Sequence, residues 1–145
     1  MKIILDTNII FSSLLNKYSV YTDILFDNKF DFIIPKYAYI ELFKHKEKII
    51  RFSKHTEDEV LEILYKLLKN VTIFDENIIS QPSLKKAYEL VNDVDEKDML
   101  FVALTVELNG LLWTNDKILI KGLQRKGFIG ICGLQGHDLV QIITQ

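Results

Sequence analysis

The sequence predicts an α/β protein: a Rossmann-like three-layer sandwich, with a central, mostly parallel sheet of about five strands and helices on both faces. Two observations carry this expectation. Five short apolar runs recur along the 145 residues, at Lys2–Leu5, 31–34, Val71–Phe74, Leu111–Trp113 and 128–131. Each is separated from the next by a segment with helical spacing, as in parallel sheets covered on both faces. A third observation narrows the class. No glycine-rich fingerprint follows the first strand and no P-loop occurs, which argues against dinucleotide and nucleoside triphosphate binding.

The elements follow in order. The first strand ends in Asp6-Thr7-Asn8, a helix start. Residues 9–16 and 20–27 read as two short helices. Pro35, after the second strand, suits the first turn of a helix running to about Arg51. Thr56 and Glu59 have the spacing of a capping box. Val60, Ile63, Leu64, Leu67 and Leu68 then recur on one helical face. Residues 83–91 read as helix. Asp95 is placed to cap a helix ending at Asn109-Gly110. A last helix runs from Asp116 through Arg125 and stops at Gly127. Residues 139–143 are expected to pair at a sheet edge.

Composition sets limits. Hydrophobic residues make up 48% and charged residues 26%, enough for one domain over residues 1–145 to fold around a core without disulfides. Cys132 is the single cysteine and sits in an apolar stretch, which reads as a small core residue in a reducing compartment. Met1-Lys2 and the apolar residues after them look like a weak leader. Asp6 and Asn8 interrupt that run, and no small-residue cleavage site follows. No apolar run is long enough to span a membrane. A cytoplasmic protein without membrane contact is therefore expected.

The net charge of −2 does not advertise a nucleic-acid partner. Local basic clusters do exist: Lys44, Lys46, Lys48, Arg51 and Lys54 form one, with His45 and His55 among them. Lys117, Lys121, Arg125 and Lys126 form another. Solvated helix faces account for such runs as well.

In open α/β sheets, sites lie beyond the carboxyl ends of the strands. Asp6 and Asp116 fall there. Glu41 lies about two turns into the helix after the second strand, and Asp98 begins the helix that feeds the fourth. Each has a simpler reading. Asp6 and Asp116 fit helix caps, and Asp98 fits the acid that favours a helix N-terminus. Glu41 lies between apolar neighbours, and burial there would require a partner. Together, four acids suit Mg²⁺ or Mn²⁺. Zinc is disfavoured, because Cys132 is alone and His45, His55 and His137 lack ligand spacing. Thr7, Asn8, Thr114 and Asn115 fit metal waters or phosphate oxygens, and fit turns and caps equally.

Asp6-Thr7-Asn8 after an apolar strand, Glu41, Asp95-Glu-Lys-Asp98-Met-Leu-Phe-Val-Ala-Leu and Leu-Trp-Thr114-Asn-Asp116 occur in an order that resembles the PIN-domain family, over residues 2 to about 131. The resemblance implies a Mg²⁺- or Mn²⁺-dependent ribonuclease. Many family members of this size are VapC-like toxins of toxin–antitoxin pairs, commonly homodimers inhibited by a small antitoxin. Carried over, Asp6, Glu41, Asp98 and Asp116 are the catalytic, metal-binding acids, and Asp95 is an additional acid behind them. A cation-activated water would cut RNA without a covalent enzyme intermediate.

Three other readings stay open. A phosphatase using Asp6 as nucleophile would want an acid where Asn8 stands. A non-catalytic module would bind RNA or protein without cutting. A DNase would keep the fold and change the substrate. His137 and Asp138 receive no role.

Overall fold

A computed structural model describes residues 1–16, 20–27 and 29–132. Strand β1 (Lys2–Leu5) leads into helices α1 (Thr7–Leu15) and α2 (Val20–Leu25). Then come β2 (Asp31–Pro35), α3 (Lys36–Lys44), α4 (Lys46–Phe52) and α5 (Glu57–Asn70). Strand β3 (Val71–Phe74), α6 (Gln81–Val91) and α7 (Met99–Leu108) follow, and β4 (Leu111–Trp113), α8 (Lys117–Arg125) and β5 (Ile131–Cys132) complete the described chain. The expected edge pairing at 139–143, and His137 and Asp138, lie outside the described residues.

All five strands are parallel, in the order β3-β2-β1-β4-β5. The chain winds outward from β1 to β3, crosses back to β4, and winds the other way. Right-handed crossovers then place α1 to α5 on one face and α6 to α8 on the other. The contacts agree: α1 packs with α2 to α5, α6 packs with α7 and α8, and α7 lies across β1, β2 and β4.

Burial follows position. Ile3, Ile4 and Leu5 of central β1 are fully buried, as are Leu112 and Trp113 of β4. Edge strand β3 buries neither Thr72 nor Ile73. Helix α7 buries five consecutive residues, Phe101 to Thr105, because it is covered by the sheet below and by α6. The capping box of α5 forms with both bonds, Glu59 N–H to Thr56 Oγ1 at 3.2 Å and Thr56 N–H to Glu59 Oε1 at 3.0 Å. Cys132 is buried, as its apolar surroundings suggested.

Two expectations about helices are corrected. The single helix after Pro35 is two, broken at His45, whose φ of −105° and ψ of 9° leave the helical region. Neither glycine nor proline marks the break. The second correction concerns the chain before α7. Asp95 closes a short 3-10 turn, Glu96–Asp98, by accepting from Lys97 N–H at 2.9 Å, and α7 itself begins at Met99.

The register of β1 on β4 pairs Leu5 with Trp113. It is set partly by the turn before β4. Asn109 takes the left-handed conformation that ends α7 (φ 52°), and Gly110 lies against β1. A Cβ on Gly110 would meet the Lys2 carbonyl oxygen and Ile4 Cδ1, each at 2.7 Å. Gly110→Ala is therefore expected to destabilise the fold by about 1–3 kcal/mol, since backbone must move to relieve the overlap. Urea denaturation measures this, and a change below about 0.5 kcal/mol, the ordinary scatter of surface substitutions, would refute the close approach.

Candidate active site

The sheet reverses its winding between β1 and β4, and such a switch point leaves a crevice beyond the strand ends. Because Leu5 pairs with Trp113, Asp6 and Thr114 emerge there side by side, and Asp6 N–H bonds the Trp113 carbonyl at 3.0 Å.

Thr114 organises the crevice. Its hydroxyl, fully buried, donates to Asp6 Oδ2 at 2.7 Å. It accepts from Asp116 N–H at 3.1 Å and from Asn8 Nδ2 at 3.5 Å. One donor and two acceptor positions are all that a hydroxyl has, so Thr114 is spent on positioning. Asn8 Oδ1 accepts from Asn115 N–H at 3.4 Å, and Asn115 Oδ1 accepts from the Tyr21 hydroxyl at 3.1 Å. Of the four polar residues weighed for phosphate or water binding, Asn8, Thr114 and Asn115 thus knit the loops together. Thr7 differs: its Oγ1 is buried with no hydrogen-bond partner.

The capping readings of Asp6 and Asp116 hold, and they do not exclude a second role. Asp6 accepts from Asn8 N–H at 3.4 Å. Asp116 Oδ1 accepts from Ile118 and Leu119 N–H at 3.0 and 3.1 Å. Asp98 behaves otherwise. It stands at the N-cap of α7 but makes no side-chain cap bond, and its Oδ2 is buried without a partner. A carboxylate oxygen left so is costly unless a proton or a cation reaches it.

The electrostatics identify the group. Burial, and then the charges of Asp6, Asp116 and Asp95, push Asp98 up to about 7. Burial also raises Asp6, with a further push from Asp116, against the lowering bonds from Thr114 and Asn8. Asp6, Asp98 and Asp116 therefore share one field, with exposed Asp95 at its edge.

Glu41 is not among the charges that push up Asp98 and Asp6. It is partly buried, as expected, and its partner is His45 one turn on, with Oε2 3.1 Å from Nε2.

A hard cation fits the donor set, because the acids offer only oxygen and Asp98 Oδ2 lacks a partner. Among the described residues, no three acid, histidine or cysteine side chains already enclose an ion. Mg²⁺ does not require that, since it keeps several waters and commonly takes one or two carboxylates.

A family model described as a PIN domain matches residues 4–129. The chain belongs to the PIN-domain family. The match spans Asp6, Glu41, Asp98 and Asp116 alike. This PIN domain also superposes on a chain of VapBC2 from Rickettsia felis, solved bound to a DNA fragment from their promoter. The TM-score is 0.62 at 22% identity, over 91% of this chain and 98% of that one, a likeness of fold. No curated protein matches. Among the described residues, no helix of the PIN domain is long and apolar enough to cross a membrane.

Two contacts in the site had no sequence signal or only a local one. Tyr21 reaches Asn115 across 94 residues and packs edge-on against Trp113, so its ring serves the core. Phe11 packs edge-on against His45. The pairing of His45 with Glu41 was readable from their four-residue spacing.

A raised carboxyl makes the metal-free fold less stable as pH climbs. The penalty is absent below the ordinary carboxylate range and complete above about 7, reaching up to about 4 kcal/mol for Asp98. Melting in EDTA should therefore fall between pH 5 and pH 8, and Asp98→Asn should flatten the fall. Mn²⁺ should raise the melting temperature more at pH 8 than at pH 5. A variant that melts with the same pH slope as the parent would contradict the assignment.

Proposed function

We propose that the chain is a divalent-metal-dependent endoribonuclease that hydrolyses RNA phosphodiester bonds, and that it is the toxin of a toxin–antitoxin pair. The observation that carries the nuclease reading is Asp98: a buried, partnerless carboxyl oxygen, in the field of Asp6 and Asp116, at the switch point of a PIN-domain sheet. Carboxyls perturbed by burial and like charges in a crevice cluster at functional sites.

Asp6, Asp98 and Asp116 are proposed to hold Mg²⁺ or Mn²⁺. Asp95 is assigned behind them, and Glu41 is the fourth acid, with His45 as its resting partner. A bound cation would lower the pKa of an attacking water and stabilise charge on the phosphoryl and leaving oxygens. The chain's own part is to hold the acids ready. Thr114 fixes Asp6 in place, and the first turn of α8 fixes Asp116 through its two cap bonds. Asp98 would have to give up its proton to hold a cation, so cleavage at limiting metal should rise with pH through about 7. Thr7 Oγ1 is a candidate donor to a phosphate oxygen.

The toxin reading is supported by the likeness of fold to a chain of the VapBC2 complex. It implies a small antitoxin partner and a homodimer.

Purified protein should cleave a mixed RNA pool with Mn²⁺ or Mg²⁺ and not with EDTA. Asp98→Asn should cut activity by about 10²-fold or more, the scale of losing one site group, while staying folded by circular dichroism. Asp95→Asn should cost less. RNA bound but uncut under every metal would favour the non-catalytic module. DNA cut in preference to RNA would reassign the substrate.

A further inference from the structure

Beside the carboxylates, a cleft of about 330 Å³ opens between α8 and the segment before α7. It is lined by Asp93, Val94, Ile118, Gly122, Arg125 and Lys126. Both walls lead back to the acids. Val94 precedes Asp95, and Ile118 donates its N–H to Asp116 Oδ1. Gly122 forms the floor. A Cβ there would meet Val94 Cγ2 at 2.6 Å, so a bare backbone is what lets the two walls approach. Ile118 is 73% exposed, an apolar side chain at the mouth of a polar crevice.

The charges around the cleft divide into two sets. Lys126 is turned inward: its Nζ donates to the carbonyls of Glu89 and Leu90 and pairs with Asp93, which neutralises the acid in the cleft. Lys117, Lys121 and Arg125 face solvent and form no ion pair among the described residues. Arg125 adds only its field to that of Lys126, which holds Asp93 low. The three cations are four residues apart on one helix. Successive charges therefore advance by about 6 Å and rotate by about 40°, toward the side that carries Ile118. The stripe begins next to Asp116 and covers about 12 Å. A row of unpaired cations beside a partly apolar cleft matches the make-up of a single-strand site, where charge follows the backbone and apolar surface receives bases.

We propose that this cleft is a subsite for a nucleotide flanking the cleavage position of single-stranded RNA. Its base packs between Ile118 and Val94, while Lys117, Lys121 and Arg125 bind successive phosphates leading away from the acids. The subsite rests on the nuclease reading and adds the direction in which the strand leaves the site. A base can enter only if it is unpaired and unstacked, so duplex RNA is excluded. Among the described residues, no aromatic ring lines the cleft, so its grip on the base is apolar packing rather than ring stacking.

The test is binding without turnover. Anisotropy of a labelled, mixed-sequence RNA decamer is measured with the full chain in EDTA, over a range of salt. Lys121→Gln/Arg125→Gln should weaken binding by about tenfold at low salt and lower the slope of log K against log salt by about 1.4, the effect of two phosphate contacts on a single strand. Ile118→Ser should weaken binding while leaving the salt slope unchanged, and its exposure leaves the core intact. Lys66→Gln, on α5 at the far side of the sheet, is the control and should bind as the parent does.

Equal weakening by Lys66→Gln would mean a diffuse field and would overturn the subsite. So would parent-like binding by the α8 variants, equal binding of duplex RNA, or tighter binding of single-stranded DNA. Loss of cleavage in Asp98→Asn is read in a separate assay, so failure of the nuclease reading is distinguishable from failure of the cleft.

Discussion

Carboxylates that share a field repel one another, and burial makes the repulsion stronger. Around Asp6, Asp98 and Asp116 much of the local structure answers that problem, and it answers differently for each acid. Asp6 is buried and raised, with its burial offset in part by the Thr114 hydroxyl and a backbone N–H. Asp116 is met by two N–H groups at the start of α8. Asp98 receives no such compensation and stays near 7. The unequal treatment leaves Asp98 the acid whose proton a cation would displace in the proposed reading.

Most of the fold was legible because parallel strands announce themselves. Strands β1, β2 and β4 are nearly continuous apolar runs, as burial on both faces demands. The caps at Asp6, Thr56 and Asp116 were equally plain, since each depends on one side chain and its own next turn. What failed was local and had no chemical marker. The break at His45 carries no glycine or proline, and the 3-10 turn before α7 is built from residues that also favour helix starts. Short strand β5 was placed early, because Phe128 and Ile129 continue its apolar character while, among the described residues, only Ile131 and Cys132 pair.

The candidate site was legible as a set of acids and illegible as a network. Asp6 and Asp116 could be placed because they follow strands. Their coupling through Thr114 could not, since it joins residues more than a hundred positions apart and depends on the Leu5–Trp113 register. Nor could sequence show that Asp98 lacks a cap bond, a fact about what its neighbours decline to do. Glu41 was expected to need a partner and has one in His45. That pairing accounts for its burial without assigning it to the shared field.

The bond between Thr114 and Asp6 spans 108 residues of chain. Strand β1 precedes the other described elements in the chain, yet it is central, and one of its two neighbours is β4, which begins only at Leu111. A contact of such separation closes late in folding, and synthesis proceeds from the N-terminus. A chain emerging from a ribosome therefore carries no assembled acid site until Thr114 and Asp116 have been made. For an enzyme proposed to cut RNA, topology alone would delay competence until β4 has joined β1.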